Sequence, residues 1–241
     1  MSSLEKLKAE AVKLRKNIDA VYEAGKQAEY DRFWDEFQQN GARTDYGFAL
    51  RYGWTDVIFK PKYDFIMTTC NSMFQYSGIV NLREILQDCG VVFDTSNCTM
   101  MVQMFQGADC KTIPTLDIRK STNSHYMFGS GSSVEEIEKL IISETTDLGG
   151  TTMFGNAKQL VKMNIEGTIG QNFNVQSSPL NLESAKSVIR ALKNFAGTDQ
   201  EYTCTVTFSS TTKAYLEAEG ATSPNGNTWL DYIDDIGWSC P

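Results

Sequence analysis

The chain has 241 residues, with 22 lysines and arginines against 30 aspartates and glutamates, a formal net charge of −8. At 41% hydrophobic and 22% charged it can bury a core, and its acidic balance excludes the basic stripe with which a nucleic-acid binder displaces counterions. A single histidine, His125, excludes a histidine-based metal cluster and leaves a Ser-His-Asp triad only that one ring.

The first residues, Met1 to Lys6, run into alternating charged and apolar positions without the apolar stretch of a secretory signal. No window approaches the roughly 20 apolar residues of a membrane span. Folding in a cytosol is the expectation. Cys70, Cys89, Cys98, Cys110, Cys204 and Cys240 include no C-x-x-C pair, which disfavours a zinc knuckle or a thioredoxin-type site. Disulfides remain formally open, but a reducing compartment favours buried free thiols.

Leu4, Leu7, Ala11, Leu14, Ile18 and Val21 alternate at spacings of three and four, an a/d heptad seam flanked by Lys, Glu and Arg. Ser2 and Glu5 can form a capping box at its start. So thin a stripe buries little on its own, and the helix needs a partner. Two readings follow: a helix lying on its own domain, or a short parallel coil of identical chains. A strict a/d stripe favours the coil, because a core-facing helix carries a wider one. Gly25 interrupts the seam, Tyr30, Phe33, Trp34 and Phe37 then crowd successive turns, and Gln39-Asn40-Gly41 is a suitable stop.

Tyr46, Phe48, Tyr52, Trp54, Phe59 and Tyr63 follow in an irregular stretch beside Arg43, Arg51 and Lys60. Such aromatics either close the first repeat of a stack or bind sugars or a protein; the recognition candidates are Tyr46, Tyr52, Trp54 and Tyr63.

Met-Phe then recurs at Met73-Phe74, Met104-Phe105, Met127-Phe128 and Met153-Phe154. Spaced aliphatics follow each one: Leu82 and Ile85; Ile113, Leu116 and Ile118; Ile137, Leu140 and Ile142; Leu160, Met163 and Ile165. The L-x-L ends are strand-like, with two side chains on one face. A period in the twenties marks a leucine-rich repeat, whose units stack because none buries its own apolar face. Gly129-Ser130-Gly131-Ser132-Ser133 lacks the following Lys of a phosphate loop and reads as an inter-repeat connection.

Asn123-Ser124-His125-Tyr126-Met127-Phe128 and the Met-Phe units around it resemble BspA-like leucine-rich repeats, over roughly residues 65 to 240. The Cys-Ser usual after Met-Phe is replaced here by Ala108-Asp109-Cys110. Gly25 to Asp31, Phe33-Trp34, Phe37 to Gly41, Trp54-Thr55, Lys60-Pro61-Lys62-Tyr63 and Ile165 to Phe173 are similar to leucine-rich-repeat proteins carried by phages and prophages of gut Firmicutes. The resemblance implies a virion or surface context, tail-associated or host-binding.

Toward the end, Val188, Ile189, Leu192 and Phe195 predict a helix over 184–195 that ends at Gly197. Cys204, Val206 and Phe208 alternate with threonines as a half-buried strand. A second helix covers Thr212 to Glu219, and a turn at Ser223 to Gly226 precedes Trp229-Leu230-Asp231-Tyr232-Ile233. This order resembles the BspA-like terminal unit and closes the open end of the stack.

The expected fold is therefore α+β: a helical arm (1–41), an aromatic cap (42–68), repeats (69–180) and a C-terminal cap (181–241). No catalytic, cofactor or metal residues are assigned. His125 reads as a loop or edge residue, and Asp231, Asp234 and Asp235 as a solvated helix face. Together with the resemblance, this predicts a non-enzymatic virion protein, made in a bacterial cytoplasm. Its partners would be its own copies, other virion proteins and a host surface polysaccharide or protein, with no nucleic acid and no membrane. Two alternatives stand beside it: an enzyme degrading polysaccharide through those aspartates or scattered carboxylates, and a cytosolic prophage protein acting on a host factor.

Overall fold

The computed structural model describes residues 3–40, 54–57, 59–62, 64–150, 152–201 and 203–241. The chain divides into two compact units, Met1–Asn40 and Gly41–Pro241. The first is one helix, α1 (Ser3–Asn40). Gly25 lies inside it, with nothing within 4 Å of where a Cβ would stand. The helix runs through that residue despite a propensity penalty of about 1 kcal/mol.

The second unit is a β-solenoid of about four turns followed by helices. Its short strands are β1 (Phe65–Ile66), β2 (Phe93–Asp94), β3 (Thr112–Ile113), β4 (Leu116–Asp117), β5 (Glu136–Ile142) and β6 (Lys162–Gly167). They stack in parallel: β1 on β2, β3 and β4 on β5, and β5 on β6. Pro114, which has no N–H to donate, separates β3 from β4. The register places Ile113 beside Ile137 and Ile137 beside Met163, and all three are buried. Predicted aliphatic positions thus become a continuous inward column.

A second ladder runs along the Met-Phe turns. The amides of Phe74, Phe105 and Phe128 donate to the carbonyls of Met104, Met127 and Met153, each at 2.8 Å. The Phe74, Phe105, Phe128 and Phe154 rings stack in sequence, with centroids 5.3 to 5.5 Å apart and planes within 7°. Trp54, 2% exposed, packs on Phe59 at 5.4 Å, and Phe59 meets Phe74 edge-on at 6.2 Å.

The first repeat departs from its strand-like expectation. Leu82 and Ile85 lie on helix α2 (Leu82–Cys89), which ends at Gly90 in the left-handed conformation. Leu82, Ile85 and Leu86 are spaced as one helical face, and all three are buried. The cysteines also differ in part from expectation. Cys70 and Cys98 form a disulfide, Cα to Cα 6.6 Å, because successive turns stack them side by side; the Cys70 amide donates to Met100 O at 2.8 Å. Cys89, Cys110, Cys204 and Cys240 are free.

Beyond β6, β7 (Phe173–Val175) pairs in parallel with β8 (Val206–Phe208). Helix α3 (Leu182–Ala191) is capped by Asn181, whose side chain accepts from the Ser184 amide. It stops short of the predicted Phe195 because Leu192 turns extended to bridge Ile169. Helices α4 (Ser210–Ala218) and α5 (Trp229–Asp235) are capped by Ser209 and Thr228. Trp238 is fully buried, with its indole N–H donating to Lys193 O at 2.7 Å.

Candidate functional site

On α1, Leu7, Leu14, Ile18 and Val21 are 64, 63, 60 and 73% exposed, and Ala11 is exposed with them. Leu4 lies on the same helix. With Leu4, Ala11 and Ile18 at a and Leu7, Leu14 and Val21 at d, the e positions hold Lys8 and Arg15 and the g positions Glu10 and Asn17. The helix thus carries an apolar stripe open to water along its described residues.

The four aromatic recognition candidates divide. Tyr46, Tyr52 and Tyr63 lie outside the described residues. Trp54 is a core residue and not a recognition residue: its indole packs on Phe59 at the start of the phenylalanine ladder, the closing role that the sequence also allows.

The other polar candidates are tied up locally. His125 Nδ1 lies 3.0 Å from Thr152 Oγ1. Asp231 accepts from Thr228 Oγ1 at 2.7 Å, and Asp235 from the side-chain amides of Asn225 and Asn227, so both shape the turn before α5. Among the described residues, no group of three or more His, Cys, Asp or Glu is placed to hold a metal ion, and no helix is long and apolar enough to cross a membrane. In the C-terminal closure, the buried Lys186 binds Glu219 and Glu183, and its ammonium sits 5.6 Å from the Trp229 ring centroid. The bond to Glu219 holds its pKa above the ordinary lysine value. This cluster joins α3, α4 and α5.

The outer faces of the solenoid differ in chemistry. Along the strands, charges pair across the stack: Lys111 with Glu135 at 3.0 Å and Lys139 with Glu166 at 2.7 Å on successive turns, and Arg83 with Glu136 at 3.1 Å one turn further on. The Met-Phe edge carries Tyr76 and Tyr126, 53% and 46% exposed. It also carries an amide pair, in which Gln75 Nε2 donates to Gln106 Oε1 at 2.7 Å. Beside them a cleft of about 430 Å³ is lined by Ser130, Gly131, Ser132, Asn156, Lys158 and Gln159. No known family, curated protein or solved structure matches the chain.

The Gly-Ser segment is thus the wall of a polar cleft rather than only a connection. Lys158 of the next turn lines the same cleft as Ser130 and Ser132. Superposing the Met-Phe units would have shown this, since Asn156 and Ser130 both lie two residues after their phenylalanines.

Proposed function

We propose that this is a non-enzymatic recognition protein: α1 gathers identical chains into a short parallel coil, and each displays a leucine-rich-repeat solenoid outward. The observation that carries the reading is the open stripe of Leu7, Leu14, Ile18 and Val21, whose a/d spacing suits a second copy of itself. Association gives weak sites avidity, because the second contact is made at high effective concentration. The particle context, a phage virion with the protein in or near the tail, is supported by the resemblance of the Met-Phe units and of Gly25 to Asp31 to phage- and prophage-carried repeat proteins. The binding partner in this reading is a host surface polysaccharide or protein, or another virion protein.

Sedimentation of the full chain against its Leu14→Asp/Ile18→Asp variant tests the stem. The expected result is a multimer that becomes a folded monomer in the variant. A full chain that stays monomeric at high concentration overturns it. Mass spectrometry of purified particles tests the virion placement, and absence of the chain there overturns that part.

A further inference from the structure

Tyr76 and Tyr126 take left-handed backbone, with φ of 55° and 56°. The conformation recurs along the repeats, two residues before the phenylalanine at Ser72, Gln103 and Tyr126, and it belongs to the geometry of the stacked turns. Two residues after the phenylalanine, where the first turn has Tyr76, other turns have Gly107 and Asn156, which adopt it with little or no penalty. Both tyrosines stay about half exposed.

Glycines follow one another across the turns from Tyr76. A Cβ on Gly107 would stand 2.4 Å from Tyr76 Cδ1, so the phenol lies directly over that glycine. Gly131 approaches Gly107 Cα, and Gly129 lies against Tyr126 and Gln106. This floor leads into the cleft, where Asn156 Nδ2 donates to Ser130 Oγ at 3.2 Å. Lys158 there has no carboxylate partner among the described residues. No apolar side chain lines the cleft. Hydroxyls, amides and one ammonium in the cleft, with the half-exposed Tyr76 ring reached across Gly107 and Gly131, suit a ligand rich in hydroxyls that also has flat C–H faces.

We propose that the Met-Phe edge is an oligosaccharide-binding site, with Tyr76 stacking on a sugar ring and Ser130, Asn156, Lys158 and Gln159 holding hydroxyls. This rests on reading the solenoid as a recognition module. Tyr76 belongs to the first turn and Asn156 to the fourth, so the site spans roughly 15 Å at the spacing of stacked strands. A chain of several sugars covers that distance and a monosaccharide does not.

The test titrates the full chain by calorimetry with hexasaccharides of cellulose, chitin and polygalacturonate, and with their monosaccharides. At least one hexasaccharide is expected to bind, with its monosaccharide at least tenfold weaker. Tyr76→Gly removes the ring while keeping a residue suited to left-handed backbone, so the fold is retained; it should weaken binding roughly fivefold with no fall in the unfolding midpoint. Asn156→Gly should also weaken it. Binding by none of the three, or binding unchanged in both variants, overturns the site. Titration of the Leu14→Asp/Ile18→Asp variant separates the two proposals: affinity per solenoid should be unchanged whether or not the stem associates.

Discussion

The Phe105 and Phe128 rings lie 3° from parallel with centroids 5.5 Å apart, at the middle of a ladder that runs from Phe74 to Phe154. Both rings are fully buried, and each fills space that the neighbouring turns cannot fill for it. Phe105→Ala should cost about 3 to 5 kcal/mol, read from urea unfolding, because the cavity sits between rigid rungs. Phe105→Leu keeps most of the volume and should cost clearly less. Equal costs would show that stacking and cavity size do not govern this core.

Two glycines should answer oppositely to alanine. A Cβ on Gly167 would stand 2.0 Å from Ile142 O, with φ at 107°, and a backbone carbonyl in the adjacent strand cannot swing away. Gly167→Ala should be among the most destabilising single changes. Gly25 is an open helical site, so Gly25→Ala should raise the stability of α1 by about 1 kcal/mol. Helicity followed by circular dichroism during thermal melts distinguishes the two.

Thiol counting tests the disulfide. Denatured, unreduced protein should take four alkyl groups, at Cys89, Cys110, Cys204 and Cys240, and six after reduction of the Cys70–Cys98 bond. The bond closes a separation of 28 residues, so reduction should cost about 3.6 kcal/mol. A count of six without reductant would remove it.

The buried Cys110 thiol is pushed up from its ordinary 9.0 to about 12, first by desolvation. In the native protein at pH 8 it should resist iodoacetamide, while the half-exposed Cys89 and Cys204 react. The linkage has a definite sign. A folded pKa above the unfolded one leaves this stabilising contribution intact below pH 9, and it is lost as pH rises from 9 toward 12. A Cys110→Ala variant should show a flatter decline in unfolding free energy over that range.

The stacked core was legible because a solenoid writes its period into the chain: the Met-Phe steps placed four phenylalanines that now form one ladder. What spans turns was not legible in a linear reading. Cys70 and Cys98 look unrelated until adjacent rungs set them side by side, and Lys158 lies far along the chain from the Gly-Ser segment with which it lines a cleft. Trp54 was ambiguous for another reason. An aromatic near a repeat boundary can face out or in, and only the neighbouring Phe59 and Phe74 decide it. Leu82 and Ile85 followed a Met-Phe like the others, but their spacing of three and Gly90 beyond were helix signals that outweighed the repeat.

In the proposed α1 coil, charge sets the orientation. Glu10 at g and Arg15 at e are five residues apart, the offset that faces g of one chain to e of the other in a parallel, in-register pair. An antiparallel pair aligns e with e, gathering Lys8 and Arg15 of both copies on one flank. Glu10→Arg should therefore weaken association roughly tenfold, since each of two pairs contributes up to about 1 kcal/mol. The double variant Glu10→Arg/Arg15→Glu should restore it, and raised salt should shrink both effects. Equilibrium sedimentation measures all four proteins in the cycle, and independence of the two substitutions would rule out the parallel register.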